Sequence, residues 1–137
     1  MIKTTFDANI WYSAVRGGII GHKLLLILNN SNVKILTCQH TLNEFDDIMK
    51  RPKAQKDLLP QRISEIRAII LAFTEIVPLI SPIEIISRDP NDDYLLTFSK
   101  DYNLDYLVTG DKDLLVLKSY GQTRILTFAE FIVALEK

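Results

Sequence analysis

The 137-residue chain carries 16 Lys and Arg against 17 Asp and Glu, for a net charge of −1 and a pI of about 6.1. That balance excludes a protein that binds nucleic acid through bulk positive charge. Hydrophobic residues make up 47% and charged residues 24%, a globular composition with enough apolar matter for a sizeable core, and a single cysteine, Cys38, excludes an internal disulfide.

No apolar run is long enough to span a bilayer, and the N-terminus lacks a signal-peptide pattern. The expectation is one cytoplasmic domain over residues 1–137. Residues 1–6 are rich in β-branched side chains and predict a strand ending at Asp7. A helix opens at Asp7, breaks at Gly17-Gly18, and is followed by a second over residues 20–29. Residues 33–37 predict a second strand. The next helix starts near residues 39–41, places Leu42, Phe45, Ile48 and Met49 at helical spacing, and stops before Pro52. Residues 58–74 predict a helix with Ile63, Ile66, Ile70 and Phe73 on one stripe. A short strand at residues 75–78 follows, with residues 83–86 as its extension or as an edge. After an acidic loop comes a helix to about Tyr102, a strand at 106–109, a turn of helix at 112–117, a strand at 124–126 and a helix at 127–136. Thr127 and Glu130 form a capping-box pair at the start of that last helix. Strands alternating with helices predict an α/β domain with a mainly parallel sheet.

The acids fall where such a sheet would gather them. Asp7 ends the first strand, Glu44 lies one turn into the helix after the second, Asp92 and Asp93 open the helix before the 106–109 strand, and Asp111 follows that strand. Ligands of open α/β sheets bind at the carboxyl ends of the strands. Each acid also has a plain structural use: Asp7 as a helix cap, Thr41 and Glu44 as a capping box, Asp111 and Asp113 as first-turn acids. Clustered carboxylates repel, however, and are costly without a cation. Oxygen ligands without His or Cys suit Mg²⁺ or Mn²⁺ rather than Zn²⁺. Such a site fits a metal-dependent nuclease or phosphatase. The loop at 89–93 lacks the pattern of a calcium EF-hand, and no Gly-rich nucleotide loop follows a strand.

Among the remaining polar residues, Lys50, Arg51, Lys53 and Lys56 form the densest basic stretch, and Arg51, Lys53 and Lys112 are candidate phosphate contacts. A solvated helix end explains the basic stretch equally well. His22 and His40 read as surface or capping residues, since neither has metal-binding spacing. Trp11 reads as core or interface, and Leu24 to Leu28 as core with a dimer surface as the second reading.

Four segments carry a resemblance: Phe6-Asp7-Ala8-Asn9-Ile10-Trp11; Leu42-Asn43-Glu44-Phe45 with Lys50-Arg51-Pro52-Lys53; Arg88-Asp89-Pro90-Asn91-Asp92-Asp93-Tyr94-Leu95-Leu96; and Leu107-Val108-Thr109-Gly110-Asp111-Lys112-Asp113-Leu114-Leu115. Together and in this order they resemble the PIN-domain family, in its bacterial and archaeal branch of VapC-related toxin components. The resemblance implies a Rossmann-like α/β/α fold and Mg²⁺- or Mn²⁺-dependent endoribonuclease activity. It maps the family's acidic quartet onto Asp7, Glu44, Asp92 and Asp111, with Asp93 and Asp113 as further candidate metal ligands and Asn9 and Thr109 as supporting polar positions. An RNA substrate, a cognate antitoxin and a homodimer are the implied partners. Two other functions stay open at this point: a non-catalytic RNA-binding or interaction module on the same fold, and a metal-dependent phosphatase of a small molecule.

Overall fold

The computed structural model describes residues 1–87 and 90–136, apart from the Ile19 side chain. Arg88 and Asp89, half of the Arg88-Asp89-Pro90-Asn91 run, lie outside the described residues. Six strands form one sheet: β1 (Ile2–Phe6), β2 (Val33–Thr37), β3 (Glu75–Ile76), β4 (Tyr106–Val108), β5 (Ser119–Tyr120) and β6 (Thr123–Leu126), in the order β3-β2-β1-β4-β6-β5. All pairings are parallel except β5 with β6. The helices are α1 (Ala8–Arg16), α2 (Gly18–Leu28), α3 (Gln39–Met49), α4 (Pro52–Asp57), α5 (Pro60–Phe73), α6 (Asp93–Asp101), α7 (Lys112–Leu115) and α8 (Phe128–Leu135). This is the expected α/β class with a mainly parallel sheet.

Successive strand residues point to opposite faces, and the core divides accordingly. Phe6, Ile35, Val108 and Leu126 face α1, α2, α3, α5 and α8. Leu36, Leu107 and Ile125 face α6 and α7. Phe6 sits at the centre of the first layer, with its ring centroid 5.4 Å from Trp11, 5.6 Å from Phe131 and 6.3 Å from Phe128. Trp11 is therefore core. Of the α2 apolar run, Leu24 and Ile27 are buried, whereas Leu25 and Leu26 are exposed. On α5, Ile66 and Ile70 are buried but Phe73 is exposed, so the predicted stripe ends one turn early.

Local chemistry sets the boundaries. Gly17 at φ +83° and Gly18 at φ +71° turn the chain between α1 and α2. The capping box at α8 forms as expected: the Thr127 hydroxyl accepts from the Glu130 amide at 3.2 Å, and Glu130 accepts from the Thr127 amide at 3.0 Å. The expected Thr41–Glu44 box does not form. The N-cap is three residues earlier, at Cys38, and the helix begins at Gln39, so Thr41 is already inside it.

Three stretches depart from expectation. Pro52 does not simply end a helix: it opens α4, and Pro60 opens α5, because proline lacks only an amide that a first helical residue leaves unbonded anyway. Ser119–Tyr120 forms a hairpin with β6 across Gly121-Gln122, and Gly121 takes φ +59°. The 75–78 strand is only two residues long, and residues 83–86 form no strand. Instead, one face of α6 takes up the amides of that segment. Asp101 accepts from the amides of Ile80 at 3.1 Å and Ser81 at 3.0 Å, Thr97 from Glu84 at 3.5 Å, and Asp93 from Ile86 at 2.7 Å. These acceptors are four residues apart, so they form a row along the helix.

Among the described residues no helix is long and apolar enough to cross a membrane. Leu107, fully buried in the central strand, anchors the second layer. Leu107→Ala is expected to cost about 2–5 kcal/mol, and Thr127→Ala, which removes one cap, about 1 kcal/mol. Urea unfolding of the two variants checks this ordering.

Candidate active site

The parallel register of β1 and β4 builds the centre of the site. Phe6 pairs with Val108, and the Asp7 amide donates to the Val108 carbonyl at 3.1 Å, so Asp7 and Thr109 emerge side by side. The Asp7 carboxylate caps α1, accepting from the amides of Asn9 at 2.9 Å and Ile10 at 3.1 Å. The Thr109 hydroxyl donates to the other Asp7 oxygen. Thr109 in turn accepts from the Asp111 amide at 3.0 Å. One buried threonine thus ties the ends of two adjacent strands and two of the expected acids together.

Glu44 reaches the same edge from the second turn of α3, and Asp92 from the 3₁₀ turn Pro90–Asp92 that precedes α6. The electrostatics join the four. Asp7, 4% exposed, has its pKa raised by burial, with Asp111 adding repulsion and its hydrogen bonds opposing. Glu44 is pushed up to about 6 by burial and by the Asp7 charge, while Tyr94 and Arg51 hold it down. Asp92 is pushed up to about 8, by burial first, then by a hydrogen bond shared with Asp111 and by the charges of Glu44, Asp111 and Asp7.

The other expected residues separate. Asp93 is adjacent to Asp92 in sequence but faces the opposite way. Fully buried, its carboxylate accepts from the amides of Ile86 and Ser87 and from the Ser87 hydroxyl at 2.5 Å. It is committed to the 86–87 chain rather than to the acidic edge. Asp113 enters through its backbone, its amide donating to Asp111 at 2.9 Å. Its carboxylate is not among the leading charges acting on Asp7, Glu44 or Asp92.

A groove of about 410 Å³ opens beside Glu44 and Asp92, lined also by Asn9, His40, Asp47, Ile48, Arg51 and Asn91. Arg51 therefore stands on the groove wall. Lys53 and Lys112 are exposed but do not line it. Two groups the sequence reading did not place at the site are here: His40, stacked on Tyr94, and Tyr94 itself, whose hydroxyl lies 3.1 Å from Thr41. The spacing of His40 four residues before Glu44 on one helix was the available signal.

The donor set is oxygen only, which fits a hard divalent cation of the Mg²⁺ or Mn²⁺ type. Burial and neighbouring carboxylates raise the pKa values of Asp7, Glu44 and Asp92, which is the condition a bound cation would relieve. Among the described residues no three His, Cys, Asp or Glu side chains stand as a ready-made metal cage. The acids form linked pairs, through Thr109 and through the Asp92–Asp111 contact, rather than a closed coordination sphere.

These shifts carry a sign. A carboxyl whose folded pKa lies above its unfolded value of about 4 loses stability as pH rises through the interval between the two. For Asp92 that interval runs up to about pH 8. In EDTA, the Tm is expected to fall as pH rises from 6 to 8.5, and Asp92→Asn should both raise Tm at pH 8 and flatten the slope. Differential scanning calorimetry of the two proteins measures it.

The PIN domain family model matches residues 3–113. No curated protein matched the sequence. Solved structures share the fold at low identity. The VapBC2 complex of Rickettsia felis, solved with a DNA fragment from its promoter, contains a chain that matches with TM-score 0.60 and 17% identity, covering 90% of this chain and 97% of that one. A protein of Pyrobaculum aerophilum matches with TM-score 0.65 and 16% identity, over 99% and 91% of the two chains. The toxin VapC20 of Mycobacterium tuberculosis, described as cleaving the sarcin-ricin loop, matches with TM-score 0.57 and 12% identity, over 88% and 98%. With the parallel sheet, the strand-end acids and a family match over most of its length, the chain belongs to the PIN-domain family.

Proposed function

We propose that this protein is a divalent-metal-dependent endoribonuclease of the VapC toxin type, held in check by a cognate antitoxin. The observation that carries the nuclease reading is the gathering of buried Asp7 with half-buried Glu44, Asp92 and Asp111 at one sheet edge, with the pKa values of Asp7, Glu44 and Asp92 raised. A binding module has no use for such an arrangement, which destabilises the fold at neutral pH. The toxin reading is supported by family membership and by fold similarity to a toxin described as cleaving the sarcin-ricin loop and to a chain of the VapBC2 complex.

In this reading Asp7, Asp92 and Asp111 hold Mg²⁺ or Mn²⁺, directly or through water, and Glu44 orients the attacking water. The cation, when bound, supplies charge neutralisation at the carboxylates and stabilisation of the departing 3′ oxygen. Thr109 keeps Asp7 and Asp111 in register, and Asn9, through its amide, fixes the Asp7 oxygen nearest α1. Burial and the Asp7 charge push the Glu44 pKa up to about 6, which makes it a stronger base than an exposed carboxylate. Arg51 on the groove wall receives a neighbouring phosphate of the strand, with Lys53 and Lys112 as more distant attractors. Asp93 and Asp113 shape the backbone around the site rather than bind the ion.

Cleavage of labelled single-stranded RNA with Mn²⁺ should vanish with EDTA and with Asp7→Asn or Asp92→Asn, while a small phosphate ester is left intact. Metal-dependent cleavage at full rate by Asp7→Asn would sink the reading. Thr109→Val, which removes only the hydroxyl that supports two ligands, should lower Mn²⁺ affinity or activity by roughly 10- to 100-fold. By contrast, Asp93→Asn should keep metal-dependent cleavage while losing roughly 1–3 kcal/mol of stability. Calorimetric Mn²⁺ titration and thermal unfolding separate those two effects.

A further inference from the structure

His40 is the second residue of α3, and its ring lies flat on that of Tyr94, with centroids 3.8 Å apart and an angle of 7° between planes. Tyr94 is 1% exposed and its hydroxyl contacts Thr41 at 3.1 Å, so the lower ring is held rigidly. A flat ring with one face covered has about half its surface left. The His40 side chain keeps 44% exposure, so its outer face is open. That face lines the groove shared by Glu44, Arg51 and Asp92.

We propose that His40, supported by Tyr94, is a stacking platform for an unpaired nucleobase of the strand bound in this groove. The substrate class rests on the nuclease reading above; the platform rests on the ring geometry. A flat aromatic surface accepts any base, because every base has a π-face, and it selects single-stranded bases because in a duplex both faces are covered by the neighbouring stacked pairs. The carboxylate edge and Arg51 engage the sugar–phosphate backbone, which carries no sequence information. The His40 ring supplies what they lack, a contact that recognises the single-stranded state. It is also rigid before binding, so little order has to be imposed when the base arrives. A His40 without the platform role would cover Tyr94 and place its Nε2 3.8 Å from Glu44 Oε1; the first use needs only an apolar side chain of similar size, the second needs the imidazole.

The test separates these uses. The two histidines of the chain, His22 and His40, give an internal comparison, since His22 lies on exposed α2 surface away from the groove. With Mg²⁺ present, titration of AMP should move the His40 ring-proton NMR signals upfield and leave those of His22 in place. Ribose 5-phosphate, which lacks the base, should not produce the upfield shift. In single-stranded RNA cleavage, His40→Phe should keep KM near the wild-type value, whereas His40→Leu and His40→Ala should raise KM roughly 5- to 150-fold; any change in kcat from losing the imidazole beside Glu44 should be common to all three variants. Equal KM values for the Phe and Leu variants, or identical shifts from AMP and ribose 5-phosphate, would overturn the platform. An AMP-specific shift in a wild-type protein that cleaves no RNA would support the platform and count against the nuclease reading alone.

Discussion

Asp7 is the residue on which the site depends, because it is held by two kinds of structure at once. Its carboxylate caps the first helix and also receives the hydroxyl of Thr109 from the neighbouring strand. The first bond comes from local sequence, the second from parallel pairing across about a hundred residues of chain. Burial opposes the charge at this position, and those hydrogen bonds offset part of the cost. The surrounding layer makes up the rest: Phe6, immediately before Asp7, is fully buried among Trp11, Phe128 and Phe131. A fully buried aromatic cluster thus lies next to a buried carboxylate whose pKa is raised.

Helix α6 shows how two neighbouring aspartates acquire opposite roles. Asp92 ends a 3₁₀ turn and meets the other acids, whereas Asp93 begins the helix and turns inward to the amides of Ile86 and Ser87. Asp93, Thr97 and Asp101 then take the place of a strand partner for the segment between β3 and the site. Backbone amides near the protein interior must find acceptors, and a helix face spaced every four residues supplies them. The irregular course of residues 80–87 is therefore well bonded. It delivers the chain to the acidic turn without using the sheet.

The groove combines functions that would conflict on a flat surface. Arg51 brings positive charge to a wall that also holds Glu44 and Asp92, and it lowers the pKa of Glu44 while burial raises it. His40 and Tyr94 add an aromatic plane one helical turn before Glu44. A guanidinium, a carboxylate edge and an aromatic plane meet on α3, the turn before α6, and the start of α4. A net charge near zero is compatible with a nucleic-acid substrate on these terms, since the attraction is local rather than spread over the surface.

Much of this was legible in the amino-acid order. Alternating apolar strands and helices dictate the layered fold, because each element has one face to bury. The order of the acids relative to those elements puts Asp7, Asp92 and Asp111 at a strand's carboxyl end or a helix start, and Glu44 in the second turn of the helix that follows β2. Thr127 with Glu130 and Gly17 with Gly18 act within a few residues, so their roles follow from local chemistry alone. What the order did not decide were features that depend on partners distant in the chain. Thr41 is a capping residue by pattern, yet tertiary packing starts the helix earlier and turns its hydroxyl to Tyr94. Pro52 marks the end of one helix by rule, yet it also opens the next, because Arg51 before it adopts extended backbone. Asp92 and Asp93 are equivalent as text, and only the packing of α6 against residues 86 and 87 assigns one inward and one to the edge. His40 reads as a surface residue until Tyr94 is beneath it. Sequence specifies which side chains can serve a given chemistry, and tertiary structure decides which of them meet, because burial and orientation belong to pairs of segments rather than to either one alone.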